Sequence, residues 1–112
     1  MIRPVLPAIA LLLTTAAGGC FDAEPHSLVS RHAPTKIPAI KEATEKHDEK
    51  AVPQLVADLD SDDSAVRFYA IEGLRRLTGQ DFGYVYYQDA VLRHDAVVKW
   101  RQWLNDQSHS GQ

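Results

Sequence analysis

Cysteine is nearly absent from this chain: Cys20 is the only one in 112 residues. A single thiol excludes an intrachain disulfide framework and a cysteine-built zinc site. Histidine supplies no substitute. His26, His32, His47, His94 and His109 contain no i, i+4 pair that one helix face would present to a metal. Nucleophile signatures are missing as well, with no Gly-x-Ser-x-Gly elbow and no glycine-rich phosphate loop. His94 stands next to Asp95, but adjacent helical residues diverge and no nucleophile accompanies them. The expectation is a non-enzyme with no catalytic residue, no metal and no cofactor. Positive charge is scarce too: 12 basic residues face 15 acidic ones, a net charge of −3. That argues against nucleic acid and anionic lipid surfaces as partners, since both require a basic face. Nor is there a long apolar run. The longest, Val5 to Ala17, has 13 residues. As a helix it reaches about 20 Å, short of a hydrocarbon core of about 30 Å.

What the N-terminus does have is Arg3, that apolar run, and then the small residues Ala17, Gly18 and Gly19. Basic start, short greasy middle and small-residue end make residues 1–19 a secretory signal peptide. Ordinary cleavage at an A-x-A-like site is the alternative, and it leaves an exposed thiol. The run ends in "AAGGC", which resembles the bacterial lipobox. That resemblance implies cleavage before Cys20 and attachment of a diacylglyceryl thioether and palmitate-type acyl chains to it. Two or three such chains hold a protein on a membrane stably, where one does not. Ala17 departs from the family pattern, which has a larger aliphatic residue there. Phe21 replaces the aspartate that signals inner-membrane retention in the family. The implied location is the bacterial cell membrane or outer membrane on the periplasmic side, with Phe21 favouring the outer one. Losing residues 1–19 removes Arg3 and no other charge, leaving a mature chain of about −4.

Residues 20–37 carry Pro25 and Pro34, scattered charges and no sustained apolar period, which predicts a flexible tether. An ordered arm docked through Leu28 and Val29 is the alternative. Residues 38–106 read as an all-α domain of about four helices. The first opens with Pro38 in its first turn and presents Ile40, Ala43, Thr44 and His47 on one face. The second runs from about Ala51 to Leu59, with Pro53 harmless in the first turn and Val52, Leu55, Val56 and Leu59 in one stripe. The third is capped by Asp63 or Ser64 and closed by Gly79, with Glu72 and Arg76 as an i, i+4 pair. Gly73 inside it predicts a close helix crossing. After the aromatic loop "QDFGYVYYQDA", a final helix places Val97, Trp100 and Leu104 on one side and pairs Asp95 with Lys99. Residues 107–112 read as a disordered tail.

"AVPQLVADLDSDDSAVRFYAIEGLRRLTG" resembles a HEAT repeat, including the variety found in relatives of phycobilin lyases. The likeness rests on Ala51-Val52-Pro53, Leu55, Leu59, the acidic turn, Val66-Arg67, Ala70-Ile71, Leu74 and Leu77. It implies a short helical-hairpin solenoid fragment in which Asp60 or Asp62 acts with Arg67 to hold the helix pair. Such arrays normally need about three repeats to bury their faces. This chain holds one clear repeat, so either the last helix closes the stack or an apolar face pairs with a protein partner or with a second copy. The aromatic residues Tyr84, Tyr86, Tyr87, Trp100 and Trp103 are the interaction candidates, because tyrosine and tryptophan combine large apolar area with a polar handle. Filling the end of a small core is their competing role. The expected function is a membrane-anchored interaction or scaffold module at the cell envelope. The alternatives are a subunit or remnant of a lyase-type enzyme, which the phycobilin-lyase resemblance implies, and a structural spacer in an envelope complex.

Overall fold

The computed structural model describes residues 27–111. The signal peptide, Cys20 and residues 20–26 of the expected tether lie outside the described residues. The rest is all-α. Its helices are α1 (Ala33–Glu45), α2 (Val52–Asp58), α3 (Ser64–Thr78) and α4 (Ala90–Ser110), with a single 3-10 turn at Glu49–Ala51 before α2.

The first helix starts earlier than its sequence pattern indicated. Pro34, not Pro38, occupies the first turn, and Pro38 lies inside the helix. Residues 27–37 are therefore not a flexible tether: they form the start of α1 and a turn folded onto it. Ser27 N–H donates to the Thr35 carbonyl at 3.3 Å, and the Ser30 and Thr35 hydroxyls bond at 3.0 Å. Leu28 packs against the core, while Val29 stays 77% exposed. The buried face of α1 is Thr35, Lys36, Ala39, Ile40 and Ala43. His47 leaves that face altogether, since it adopts φ 53° in the turn after the helix. Lys36 is the unexpected member, buried with its ammonium 2.5 Å from Asp58 Oδ1 at the end of α2. That pair joins two helices and is largely buried, so removing one partner leaves an uncompensated buried charge.

The central hairpin follows the sequence closely. Pro53 sits in the first turn of α2, and Leu55, Val56 and Leu59 are fully buried. Asp63 caps α3 by accepting from Ala65 N–H at 2.8 Å and Val66 N–H at 3.2 Å. Gly79 closes α3 at φ 75°, a left-handed conformation that glycine adopts without a Cβ clash. The predicted Glu72–Arg76 pair does not form: Glu72 pairs with Arg75, one turn position closer. Val66, Ala70, Ile71, Leu74 and Leu77 are buried, and they serve two neighbours at once. α3 packs against α1 and α2, and α4 packs against α2.

The last helix runs to Ser110, so the predicted disordered tail is helical over 107–110. Ser108 and Ser110 each donate their hydroxyl to a carbonyl three residues back. Gln107 and Ser108 also border a cleft beside Trp103 and Leu104. Asp95 and Lys99, expected to pair, form no ion pair among the described residues.

Gly73 marks the crossing of α1 over α3. A Cβ there would stand 2.7 Å from Thr44 Oγ1 and 3.1 Å from Leu55 Cδ1. The Thr44 hydroxyl is held by its own bond to the Ile40 carbonyl at 2.8 Å, so it does not yield freely. Overpacking of this kind costs about 1–3 kcal/mol, against roughly 1 kcal/mol of helix propensity that alanine returns. Gly73→Ala is therefore expected to lower the thermal midpoint, and Thr44→Ala added to it to recover most of the loss. A raised midpoint in the single variant, by the helix propensity that alanine adds, would show that α1 shifts at no cost.

Candidate interaction surface

The aromatic loop between α3 and α4 has no regular structure, yet it is tightly specified. Phe82 and Gly83 both adopt left-handed φ values, 52° and 75°. Asp81 supports them: its Oδ1 accepts from Gly83 N–H at 2.8 Å, and its carbonyl accepts from Tyr84 N–H at 3.0 Å. This reversal drives Tyr84 inward, where it is 1% exposed. Its hydroxyl donates to the Leu59 carbonyl at 2.6 Å. The Trp100 indole N–H donates back to the Asp81 carbonyl at 3.1 Å, and Trp100 is fully buried. Phe82 stacks edge-on against Trp100 at 4.8 Å, and Trp103 does so at 5.5 Å.

These placements divide the five aromatic candidates. Tyr84 and Trp100 are core residues, so neither offers a surface to a partner. Their inward turn follows from the glycine-assisted reversal and from the two carbonyls that accept from them. Tyr86 is half-buried against Phe68 at 5.1 Å, and Trp103 is half-buried at the edge of the core. Tyr87 alone is open, 75% exposed.

The repeat-stabilising set also differs from expectation. Arg67 touches neither Asp60 nor Asp62. Its Nη1 donates to the Ser61 carbonyl at 2.7 Å and its Nε to the Tyr86 carbonyl at 2.9 Å. It still ties the α2–α3 turn, but through main-chain oxygens, and it reaches the aromatic loop as well. Asp60 pairs instead with Arg101 on α4. Asp62 is exposed. Arg93, buried in the first turn of α4, donates its Nε to the Gln88 carbonyl at 2.9 Å, while its Nη1 has no partner.

Away from this buried face, α4 carries exposed apolar residues outside the Val97–Trp100–Leu104 stripe. Val91 is 82% exposed, Leu92 61% and Val98 44%. With Tyr87 they bring four large exposed apolar side chains into twelve residues. The signal was legible: Val91 and Val98 are seven apart, which returns to nearly the same helical direction, and that direction opposes the Val97–Trp100–Leu104 stripe. Beside the far end of α4 lies a cleft of about 490 Å³ lined by Val52, Pro53, Leu77, Trp103 and Leu104 with a rim of Glu49, Gln107 and Ser108. Chemically this surface offers area to bury and few groups that do bond chemistry. Among the described residues no cluster of three or more His, Cys, Asp or Glu is placed to hold a metal ion. No helix among them is long and apolar enough to cross a membrane. Comparison with protein-family models, curated proteins and solved structures finds nothing that matches this chain.

Burial pushes the Tyr84 phenol up to about 12, although Arg93 and Arg67 nearby pull it down. The folded state thus holds the proton that the unfolded chain releases near pH 10. The resulting stability is complete below pH 10 and is lost as pH rises towards 12. Tyr84→Phe is expected to cost about 1–3 kcal/mol near neutrality, because it strands the Leu59 carbonyl. It should also flatten the alkaline limb of stability against pH between 10 and 12. Chemical unfolding of both proteins at pH 7, 10 and 11 measures this; parallel limbs would remove Tyr84 from the account.

Proposed function

We propose that this protein is a lipid-anchored helical interaction module of the bacterial cell envelope, held through Cys20 and engaging another polypeptide through α4. The observation that carries the reading is the set of exposed apolar side chains formed by Tyr87 in the loop and Val91, Leu92 and Val98 on α4, while Val97 and Trp100 of the same helix are buried. Exposed apolar side chains scattered singly need no explanation, whereas a contiguous group marks a contact site. The HEAT-like reading is supported by the way alternate helices neighbour one another, α1 beside α3 and α2 beside α4. In such arrays each unit buries its face on the next, and Val91, Leu92 and Val98 of α4 are exposed. The anchor is supported by the "AAGGC" stretch and the signal-like residues before it.

Intact-mass measurement of the protein from membranes is expected to show a chain that begins at Cys20 and carries acyl groups. Cys20→Ser is expected to leave an uncleaved precursor. Normal processing of that variant would remove the anchor from the proposal. A photo-crosslinking residue at position 91 is expected to capture a polypeptide in intact cells, while one at exposed Lys41 on α1 captures none. Equal capture from both positions would remove α4 as the contact surface.

A further inference from the structure

The outer face of α4 carries a second pattern besides its apolar side chains. Asp95 and Lys99 are both exposed and stand at the spacing that favours an ion pair along one helix, yet neither is paired among the described residues. They lie between Val91 and Val98 on one side and Leu92 on the other, within about 120° of helix surface. We infer that a second copy of this chain covers this face, its α4 running antiparallel to the first. The inference rests on reading α4 as the contact surface and names its partner.

Charge decides the direction. In a parallel pairing Asp95 would meet Asp95 and Lys99 would meet Lys99, which is repulsive. In an antiparallel pairing with its two-fold axis at the level of residue 97, Asp95 of each copy is level with Lys99 of the other. The same two-fold sets the Val98 side chains about 3 Å apart along the axis. It also brings Leu92 of each copy to within one residue of the level of Trp103 of the other, on the same flank as the charge pairs. Trp103 is half-buried in its own chain and keeps an edge for this contact. One surface thus complements itself, as a closed two-fold dimer requires.

Area sets the strength. α4 has 21 residues and is about 31 Å long, and the contact uses its central half. That buries less than the roughly 1,200 Å² of a standard interface, so the dimer is weak, with Kd on the order of 10⁻⁵ to 10⁻³ M. Anchoring two copies to one membrane raises their effective concentration and makes so weak a contact sufficient.

Sedimentation equilibrium of the mature chain, in density-matched detergent at about one protein per several micelles, measures the association directly. Val98→Asp, on an exposed position, is expected to raise Kd at least about tenfold while circular dichroism stays unchanged. Asp95→Lys and Lys99→Asp are each expected to raise Kd about three-fold or more, since each sets like charges face to face. The double variant Asp95→Lys/Lys99→Asp is expected to return within about two-fold of the original. A monomer throughout the millimolar range, or a double variant as weak as the singles, overturns the inference and leaves the Cys20 anchor standing. A chain found without acyl groups is run in plain buffer, so loss of the anchor does not decide the dimer.

Discussion

The bond from the Tyr84 hydroxyl to the Leu59 carbonyl fixes where α4 sits. Leu59 ends the α2 hairpin arm, and Tyr84 belongs to the loop that launches α4. Three further donors work the same way: Arg67 on the carbonyls of Ser61 and Tyr86, Trp100 on that of Asp81, and Arg93 on that of Gln88. All five acceptors are main-chain oxygens in segments without helical partners for them. An irregular segment packed against a core must satisfy such groups or pay the cost of burying them bare. Here side chains of α3, α4 and the loop do so. Distance and direction hold the helix, with little help from opposite charge.

This solution leaves marks of strain in the polar interior. Arg93 Nη1 and Asp58 Oδ2 are buried without a hydrogen bond. Both belong to residues that do other structural work, Arg93 through its Nε and Asp58 through Lys36 and Gln54. Neither charge would be retained for stability alone, since a well-packed apolar pair often does as well. What they supply is position. Lys36 can meet Asp58 in only one register of α1 against α2, and Arg93 reaches Gln88 only if the loop closes before α4 begins. A helix seated so firmly presents its opposite face in a fixed orientation, which a contact surface requires.

Much of this was legible from residue spacing alone. Asp63 and Gly79 bound α3 because capping chemistry is local, and the Leu55–Leu59 and Val97–Trp100–Leu104 stripes are buried because periodicity records a single core. Gly73 announced a crossing since nothing else justifies glycine inside a helix. The failures share a different cause. Pro38 fits a first turn as long as Pro34 is read as tether, and only the contacts of Leu28, Ser30 and Thr35 show otherwise. The HEAT resemblance implies a carboxylate partner for Arg67, whereas its partners here are main-chain carbonyls, which leave no mark in a sequence. Tyr84 and Tyr87, three residues apart in one loop, have opposite fates that depend on the backbone reversal at Phe82 and Gly83. The outer apolar residues of α4 are legible from their spacing, whereas aromatic content marks residues that the core consumes.

A domain this small has little interior with which to build a binding cavity. Each apolar side chain turned towards a ligand is one withdrawn from a core that is already marginal at this length. The residues best suited to a pocket, Trp100 and Tyr84, are spent on the core. Besides the cleft beside Trp103 and Leu104, what remains for recognition is the outer face of α4, cheap in stability because its side chains are not part of the core. Convex helix faces make small contacts, and small contacts are weak in free solution. On the proposed reading the membrane resolves that conflict. It supplies the concentration that the surface does not supply in area, and fold and anchor become two halves of one device.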